Sequence, residues 1–263
     1  MKKKRRKDIL NFILLNQSAS IEQLSKEFNV SEMTIRRDLA NLSDEGSILR
    51  ISGGAIPTSN TVEKEPSYKI RAFINAEEKD MIASTAAKLV RKNSLIFLDN
   101  GTTCLQLAKK LINMETTIIT NWIPNIEELK KNNAKCNVIS IGGNINTELL
   151  AVGVQAYKAI GSYRFSQVFI GVGGITENGI SDYKPESVEI KQRVIECANE
   201  VIVLADKSKF GKQVLVNIAP LNNIHTLVVD NTEGISENLL LQIKQNNINA
   251  LTALKLILLQ LIC

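Results

Sequence analysis

The chain has 263 residues, of which 44% are hydrophobic, so it can bury an ordinary core and fold as more than one domain. Its formal net charge is +5, and residues 1–56 contribute +3 of it, because they hold ten Lys and Arg against seven Asp and Glu. The four cysteines lack CxxC spacing and no apolar run approaches the roughly 20 residues of a membrane span, so we expect a cytoplasmic protein with no metal site, no disulfide framework and no membrane contact.

The first part of the chain carries the pattern of a helix-turn-helix with a wing. Apolar residues at helical spacing predict a first helix over residues 4–16. The next helix begins after Ser20, because Ser20 and Gln23 are spaced as the two residues of a capping box. Ser31 can cap a third helix that runs to about Asp44. Only a few residues separate the second and third helices, and the β-prone "SILRISGGAI" that follows suits a small wing.

The third predicted helix separates apolar from basic residues. Ile35, Leu39 and Leu42 lie on one stripe and should face the other helices, so Arg36 and Arg37 point away from them near the helix start. Arginine suits DNA, because its planar fork matches guanine edges and its permanent charge attracts phosphate. A surface helix with incidental arginines is the alternative, but the helix pair, the wing and the basic start together favour DNA binding. The predicted DNA-binding residues are Ser31, Met33, Thr34, Arg36, Arg37 and Arg50.

A family resemblance rests on the same residues. The stretch "VSEMTIRRDLANLSDEG", followed by "LRISGGA", resembles the signature of DeoR-type bacterial repressors, whose winged helix-turn-helix carries the TIRRDL segment. The family's arginine pair falls on Arg36 and Arg37. The resemblance implies that residues 1–56 form a DNA-binding domain and that double-stranded operator DNA is its partner.

After residue 56 the composition changes twice. Residues 57–76 are polar and contain two prolines, which predicts a linker. Residues 77–248 alternate helical stretches with short apolar strands, an order that predicts a Rossmann-like α/β domain with a mostly parallel sheet. Residues 249–263 are mainly apolar, and neither a structure nor a role is predicted for this tail.

Turn-forming residues follow several of the predicted strands, at the edge of the sheet where such folds bind ligands. In "DNGTT" a glycine turn and two hydroxyls open a helix, whose N–H groups favour a phosphate. Each of the other turns is an ordinary turn when taken alone, but together they predict a pocket for a small anionic ligand rich in hydroxyls. Neither the P-loop motif nor the GxGxxG motif occurs, so no nucleotide cofactor is expected.

Residues 77–230 resemble the DeoR sensor domain, which is similar in fold to ribose-5-phosphate isomerase. The family's phosphate loop falls on residues 101–103, while Asn100, Cys104 and Trp122 depart from the common pattern. The resemblance implies a repressor of a sugar-utilisation operon that a phosphorylated sugar releases, and symmetric operators imply a homo-oligomer. The effector-binding residues implied by pattern and resemblance are Asn100, Gly101, Thr102, Thr103, Thr120, Asn121, Gly142, Gly143, Gly171, Gly173, Gly174, Lys191, Asp206, Lys207 and Lys209.

Two other functions remain open on the residues alone. The second domain could be an active sugar-phosphate isomerase, since Asp182, Glu186, Glu189 or Asp206 could supply the carboxylate base that isomerisation needs. It could also serve only to assemble oligomers, and it would then bind no sugar phosphate. The resemblance favours sensing without turnover, so no catalytic residue is expected.

Overall fold

The structure is a computed structural model, and it divides the chain into two compact units, residues 1–76 and 77–263. Within the described part of the chain, no helix is both long enough and apolar enough to cross a membrane. Residues 58–66 of the predicted linker and residues 254–263 of the predicted tail lie outside the described residues. The structure describes residues 2–16, 18–44, 47–57, 67–72, 74–131 and 135–253.

Helices and short strands alternate in the first unit. In chain order they are α1 (Lys2–Asn16), β1 (Ala19–Ser20), α2 (Ile21–Glu27), α3 (Glu32–Asp44), β2 (Ile48–Ile51), β3 (Gly54–Pro57) and α4 (Tyr68–Arg71). The strands form one antiparallel sheet in the order β1-β3-β2. The pair α2 and α3 and the β2–β3 hairpin confirm the predicted helix-turn-helix and wing. The predicted linker is partly structured, because Pro57 ends β3 and residues 68–71 are helical.

Capping and burial explain where these helices begin and how they pack. At the start of α2, Gln23 N donates to Ser20 Oγ (3.0 Å) and Ser20 N donates to Gln23 Oε1 (2.9 Å), so the predicted capping box forms. Asn29 lies in the turn before α3 with a φ of 48°, a left-handed conformation that asparagine tolerates. The core of the unit includes Ile9, Ile13, Leu24, Ile35, Leu39, Leu42 and Ile48.

The second unit has the element order of an α/β domain. Its helices are α5 (Ala76–Ala87), α6 (Thr102–Leu111), α7 (Ile123–Leu129), α8 (Val154–Gly161), α9 (Pro185–Glu196) and α10 (Glu237–Gln245). Its strands are β4 (Leu95–Leu98), β5 (Thr117–Thr120), β6 (Asn137–Ser140), β7 (Asn144–Ile145), β8 (Ala151–Val152), β9 (Gln167–Gly171), β10 (Gly174–Thr176), β11 (Gly179–Asp182), β12 (Val201–Ala205), β13 (Val216–Ala219), β14 (Thr226–Val229) and β15 (Asn249–Thr252).

Seven parallel strands form the main sheet of this unit, in the order β15-β14-β12-β9-β4-β5-β6. Strand β4 comes first in the sequence and has later strands on both sides, so the strand order reverses between β4 and β9. Such a reversal opens a crevice at the carboxyl ends of the two strands, where open α/β sheets bind ligands. The predicted parallel α/β fold is therefore confirmed, and the crevice lies at the strand that leads into the predicted phosphate loop.

Several short elements of the second unit carried no clear signal in the sequence. Strands β10, β11 and β13 form an antiparallel sheet, and β7 pairs with β8. These strands have only two to four residues, and they lie outside the seven-stranded main sheet. The start of the predicted tail forms β15, which pairs with β14 at the edge of the main sheet, so residues 249–252 belong to the α/β fold.

Candidate functional site

The exposed face of α3 lies opposite its buried stripe. Ile35, Leu39 and Leu42 are at most 3% exposed, whereas Arg36 and Arg37 are exposed. The side chains expected to contact DNA are therefore outside the core of the first unit. Their position in the first half of α3 is where a recognition helix contacts base edges and phosphates.

Two contacts order the first turn of α3. Ser31 Oγ accepts a hydrogen bond from Thr34 N (3.3 Å) and lies 3.0 Å from Thr34 Oγ1. Arg36 forms a salt bridge with Glu32, one turn earlier, with 3.3 Å between Arg36 Nη2 and Glu32 Oε2. Ser31 and Thr34 thus stabilise the helix start. The charge of Arg36 is compensated by an exposed carboxylate that was not among the predicted DNA-binding residues.

The wing carries Arg50 on β2, where it is exposed and pairs in register with Ala55 of β3. Gly53 turns the hairpin with a φ of 80°, a conformation that favours glycine. Gly54 follows it for a different reason, because a Cβ at this position would collide with the carbonyl oxygen of Ala19. The glycine pair of the sequence therefore both turns the wing and lets β3 approach β1.

An ion pair that the sequence did not reveal joins α1 to α3. Arg5 Nε donates to Asp38 Oδ2 at 2.7 Å, and the Asp38 side chain is only 7% exposed. Asp38 follows Arg37 directly in the TIRRDL segment but lies on the buried side of the helix. Arg5 belongs to the basic start of the chain, yet its contact with Asp38 gives it a structural role in fixing α3 against α1.

Replacing Asp38 with alanine should lower the free energy of unfolding of the first unit by about 1–3 kcal/mol, because Arg5 loses a charge-assisted hydrogen bond in a mostly buried setting. Hydrogen exchange of the α3 amides measures this change in the full chain. Asp44→Ala removes an exposed carboxylate at the end of the same helix and should leave the exchange unchanged. Equal exchange rates in the two variants would contradict the structural role of the ion pair.

In the second unit, Asp99 joins the two strand ends that border the crevice. Asp99 N donates to Phe169 O (3.0 Å), and Gly171 N donates to Asp99 Oδ2 (3.1 Å). A Cβ on Gly171 would lie 3.4 Å from Asn100 O, so β9 and the loop after β4 approach closely. Asp99 is 1% exposed and was not among the predicted effector residues, although it directly precedes them.

Lys191 lies on α9 and is also 1% exposed. Its Nζ donates to Asp99 Oδ2 and to Gly171 O (2.9 Å), and it lies 3.4 Å from Asp182 Oδ2. Burial alone lowers the pKa of Lys191, but the carboxylates of Asp99 and Asp182 outweigh burial and raise it above its ordinary value, so the side chain stays charged. The structure thus gives Lys191 compensating contacts inside the protein, and its predicted contact with the effector stays a prediction.

The predicted phosphate loop lies at the start of α6. Gly101 precedes the helix with a φ of 125°, a conformation that favours glycine. Thr102 and Thr103 are 5% and 8% exposed, and neither hydroxyl has a hydrogen-bond partner among the described residues. Because the first N–H groups of a helix have no intrahelical acceptors, this loop offers both amides and hydroxyls to an anion.

Two positions that depart from the family pattern flank this loop. Asn100 Oδ1 accepts a hydrogen bond from Ser187 Oγ of α9 (3.3 Å), so its side chain holds the loop against that helix. Cys104 is fully buried, and burial raises the pKa of its thiol, which therefore stays protonated. Neither departure places a reactive or charged group beside the loop.

The predicted Thr-Asn pair lies at the end of β5 and is buried. Thr120 Oγ1 accepts from Asn125 Nδ2 (3.2 Å), which also donates to Asp99 O (2.9 Å), while Asn121 Nδ2 donates to Ala151 O (2.9 Å). The Oδ1 atoms of Asp99, Asn121 and Asn125 are buried and have no hydrogen-bond partner in the described part of the protein. Buried acceptors normally have donors, so this corner of the sheet has capacity for hydroxyl or water donors.

Asp206 follows β12 and caps a single turn of 3-10 helix, where its Oδ1 accepts from Ser208 N (3.0 Å). Burial alone raises the pKa of Asp206, but the hydrogen bond from Ser208 and the charges of Lys209 and Lys79 lower it below its ordinary value. Asp206 is thus a carboxylate at neutral pH. Lys79 of α5 is 5% exposed, and no local pattern indicated that it would be buried near this site.

The two other lysines predicted at this strand end differ in exposure. Lys207 is exposed and Lys209 is half-buried, and Lys207 N donates to Asp230 Oδ1 at the end of β14 (2.7 Å). Lys207 and Lys209 follow β12, and β9 lies between β12 and β4. The two lysines therefore lie two strands away from Asp99, about 10 Å across the sheet. Among the predicted lysines, Lys207 and Lys209 remain candidates for an effector charge partner.

Close packing explains why glycine occupies three of the predicted effector positions. A Cβ on Gly143 would lie 2.8 Å from the Val152 carbonyl oxygen, and one on Gly173 or Gly174 would collide with the segment that precedes β13. Gly142 is exposed, and nothing lies within 4 Å of a Cβ placed there. Close packing therefore accounts for three of these four glycines without a ligand.

The two units together define a class of protein: a transcriptional regulator in which a winged helix-turn-helix and a parallel α/β domain share one chain. The chain belongs to the DeoR family. The family model for the DeoR-like helix-turn-helix domain matches residues 5–61, and the model for the DeoR C terminal sensor domain matches residues 74–231. The predicted resemblance to DeoR-type repressors is thereby confirmed for both domains.

Individual proteins extend this comparison along most of the chain. The HTH-type transcriptional repressor GlcR of Bacillus subtilis is 34% identical over 224 residues, which cover 84% of this chain and 86% of GlcR. The lactose phosphotransferase system repressor of Staphylococcus epidermidis is 32% identical over 225 residues, which cover 84% of this chain and 89% of that repressor. Among solved structures, ribose 5-phosphate isomerase a from Methanocaldococcus jannaschii is 20% identical, with 53% of this chain and 56% of that chain covered and a TM-score of 0.40.

Proposed function

We propose that the protein represses a sugar-utilisation operon and releases its operator when a phosphorylated sugar binds the crevice between β4 and β9. The observation that carries this proposal is the phosphate loop at residues 101–103, where two threonine hydroxyls lack partners in the described part of the chain. The loop begins a helix of ten residues beside the reversal of strand order. Relatives named as repressors, one of them of a lactose phosphotransferase system, support the same function.

The charges around the crevice suit a phosphate with a polyhydroxylated group attached. The α6 amides and the hydroxyls of Thr102 and Thr103 would bind the phosphate, with Lys207 and Lys209 as charge partners. The carboxylate of Asp206 and the unpartnered oxygens beside Thr120 would accept hydrogen bonds from sugar hydroxyls. Lys191 would act as a positioning residue, since it holds Asp99 and Gly171 in place.

Release requires that the sugar phosphate binds more tightly to the arrangement of the protein that does not bind DNA. Linkage then makes the effect reciprocal, so operator DNA must weaken effector binding by the same factor. We further propose that the protein acts as a homo-oligomer in the cytoplasm, because a symmetric operator is matched by a symmetric protein. Relatives named as repressors favour sensing over turnover, and the proposed role is therefore sensing.

Fluorescence anisotropy of the full-length protein on DNA that it has itself selected from a random library tests this function. A panel of sugar phosphates is then titrated, with the corresponding free sugars and inorganic phosphate as controls. One or a few sugar phosphates should weaken operator binding, while the free sugars should not. If operator binding is tight and no sugar phosphate changes it, the second unit serves assembly alone. Sustained conversion of a sugar phosphate to its isomer would instead show an enzyme.

Replacing Arg37 with alanine should weaken operator binding by about 1–3 kcal/mol if its side chain contacts a guanine edge. A phosphate contact would instead weaken binding to all DNA sequences alike and reduce the salt dependence. Lys26→Ala removes an exposed charge from α2 and serves as the control for loss of charge alone. Operator affinity in Arg37→Ala equal to that of the unmodified protein would contradict the assignment of α3 as the recognition helix.

A further inference from the structure

The first turn of α3 presents two neighbouring exposed side chains that lie outside the core of the unit. Met33 is 74% exposed and the Glu32 side chain is 52% exposed. Met33 lies on the exposed face of the helix with Arg37, whereas Glu32 precedes the core residue Ile35 by three positions and lies at the edge of the buried stripe. Both side chains lie in the turn from which a recognition helix contacts base edges in the major groove.

Met33 is an exposed apolar side chain at the helix turn that faces DNA in a recognition helix, so an apolar group on DNA would suit it. Its thioether is flexible and polarizable, and leaving it in water forgoes the stabilisation that burial would give. The apolar group that B-DNA presents in the major groove is the C5-methyl group of thymine. A thymine is therefore the base that Met33 fits.

Glu32 brings a negative charge to a surface that must approach phosphates. This charge opposes non-specific binding, which depends on Lys and Arg neutralising phosphates. In the structure Arg36 compensates it, with 3.3 Å between the two side chains. If Arg36 turns to the O6 and N7 acceptors of a guanine, Glu32 loses this partner, and the N4 amino group of a cytosine is the donor that suits a carboxylate.

We propose that Glu32 and Met33 determine operator specificity: Glu32 accepts a hydrogen bond from the N4 amino group of a cytosine, and Met33 contacts the methyl group of a thymine. On binding, the salt bridge between Arg36 and Glu32 is replaced by a contact of Arg36 with a guanine and a contact of Glu32 with a cytosine. Sequences without this cytosine leave Glu32 facing DNA with no donor and are disfavoured. The proposal rests on the role of α3 as the recognition helix.

The Met33 contact is tested by replacing each thymine of the selected operator, one at a time, with deoxyuridine, which removes only the methyl group. Anisotropy with the full-length protein should show one thymine at which this change weakens binding about fourfold, as expected for one buried methyl group. Met33→Ala should be insensitive to the change at that thymine and respond normally elsewhere. A Met33→Ala protein with unchanged sensitivity at every thymine would overturn the contact.

The Glu32 contact is tested with Glu32→Gln and with Glu22→Gln as its matched control. Glu22 is also an exposed carboxylate, and it forms a salt bridge with Lys26 one turn later on α2, so both variants remove one negative charge from an i,i+4 pair. Affinities are measured for operators in which each base pair is replaced in turn by the three others. Glu32→Gln should lose roughly fivefold or more of the preference for cytosine at one position and favour adenine there, because glutamine pairs with the adenine edge.

Glu22→Gln should change the affinity for all these sequences by a common factor and keep the base preferences. If Glu32→Gln also shifts every sequence alike, Glu32 is an ordinary surface charge and the proposal is wrong. Failure of the proposed function gives a different result, since the unmodified protein would then show no preferred DNA sequence or no response to sugar phosphates. Base preferences that move in Glu32→Gln and not in Glu22→Gln support the assignment.

Discussion

Replacing Lys191 with methionine should lower the free energy of unfolding of the second unit by about 3–5 kcal/mol, the range expected when one partner of a buried ion pair is removed. Lys191 and Asp99 are each 1% exposed, and Nζ of Lys191 also donates to Gly171 O. Methionine keeps most of the side-chain volume but leaves the Asp99 carboxylate without its cationic partner. The carboxyl group must then stay charged in an apolar setting or take up a proton, and both are unfavourable at neutral pH.

Urea denaturation followed by tryptophan fluorescence measures this effect, because Trp122 is the only tryptophan of the chain and lies buried in the second unit. Lys158→Met, an exposed position on α8, is the control for loss of a lysine charge. The double variant Asp99→Asn, Lys191→Met removes both charges and should recover part of the lost stability. A Lys191→Met protein as stable as Lys158→Met would show that the ion pair contributes little.

The pH dependence of the same variant has a definite sign. Burial raises the pKa of Asp99 even against the opposing charge of Lys191, and without Lys191 it rises further above its unfolded value of about 3.9, so the folded state of the variant binds more protons than its unfolded state. Stability then rises as the pH falls toward that value. The difference between Lys191→Met and the unmodified protein should therefore shrink between neutral pH and about pH 4, and a difference that grows would contradict an unpaired Asp99 carboxyl group.

Local signals explain what could be predicted from the sequence. The i, i+4, i+7 spacing of Ile35, Leu39 and Leu42, together with the Ser20–Gln23 capping box, defines α2 and α3 because each signal acts within a few residues. The alternation of apolar strands and amphipathic helices likewise indicates a parallel sheet, because a helix is the usual crossover between two parallel strands. These patterns also predict that the strand-end residues, including the proposed phosphate loop, lie at one edge of the sheet, since strand ends of a parallel sheet share one edge.

Pairing between distant residues could not be predicted in this way. Arg5 and Asp38 are 33 positions apart, and Asp99 and Lys191 are 92 apart, so nothing in the local sequence connects them. Lysines in the sequence look alike whether they contact solvent or a buried carboxylate. The assignment of Lys191 to the effector failed to anticipate its buried contacts for this reason, although its place between apolar residues of an amphipathic helix was a sign of burial.

The roles of the strand-end glycines could not be predicted from the sequence either. The sequence marks residues 142–143 and 171–174 as turn-rich strand ends, which suits a ligand site and a tightly packed hairpin equally well. The structure separates the two cases through the space around each position, because a Cβ on Gly174 would collide with Lys212 O. The amino-acid sequence alone does not show how closely other atoms approach a glycine.

Replacing Thr102 with valine should raise the concentration of sugar phosphate needed for half-maximal operator release by about 10- to 150-fold, since a hydrogen bond to a charged group contributes about 1.5–3 kcal/mol. Valine keeps the branched shape that packs at the start of α6 and removes only the hydroxyl, which has no partner among the described residues. Operator affinity without effector should stay unchanged, because the substitution lies in the second unit and leaves the face of α3 intact.

Anisotropy on labelled operator, with the sugar phosphate that releases the unmodified protein, measures this shift. Thr117→Val is the matched control, because Thr117 begins β5 at the amino edge of the main sheet, opposite the edge that carries the phosphate loop. If the same concentration of sugar phosphate releases Thr102→Val and Thr117→Val from the operator, the assignment of residues 101–103 as the phosphate loop is wrong. A rightward shift confined to Thr102→Val, with the response to free sugars still absent, would support contact between the sugar phosphate and the first turn of α6.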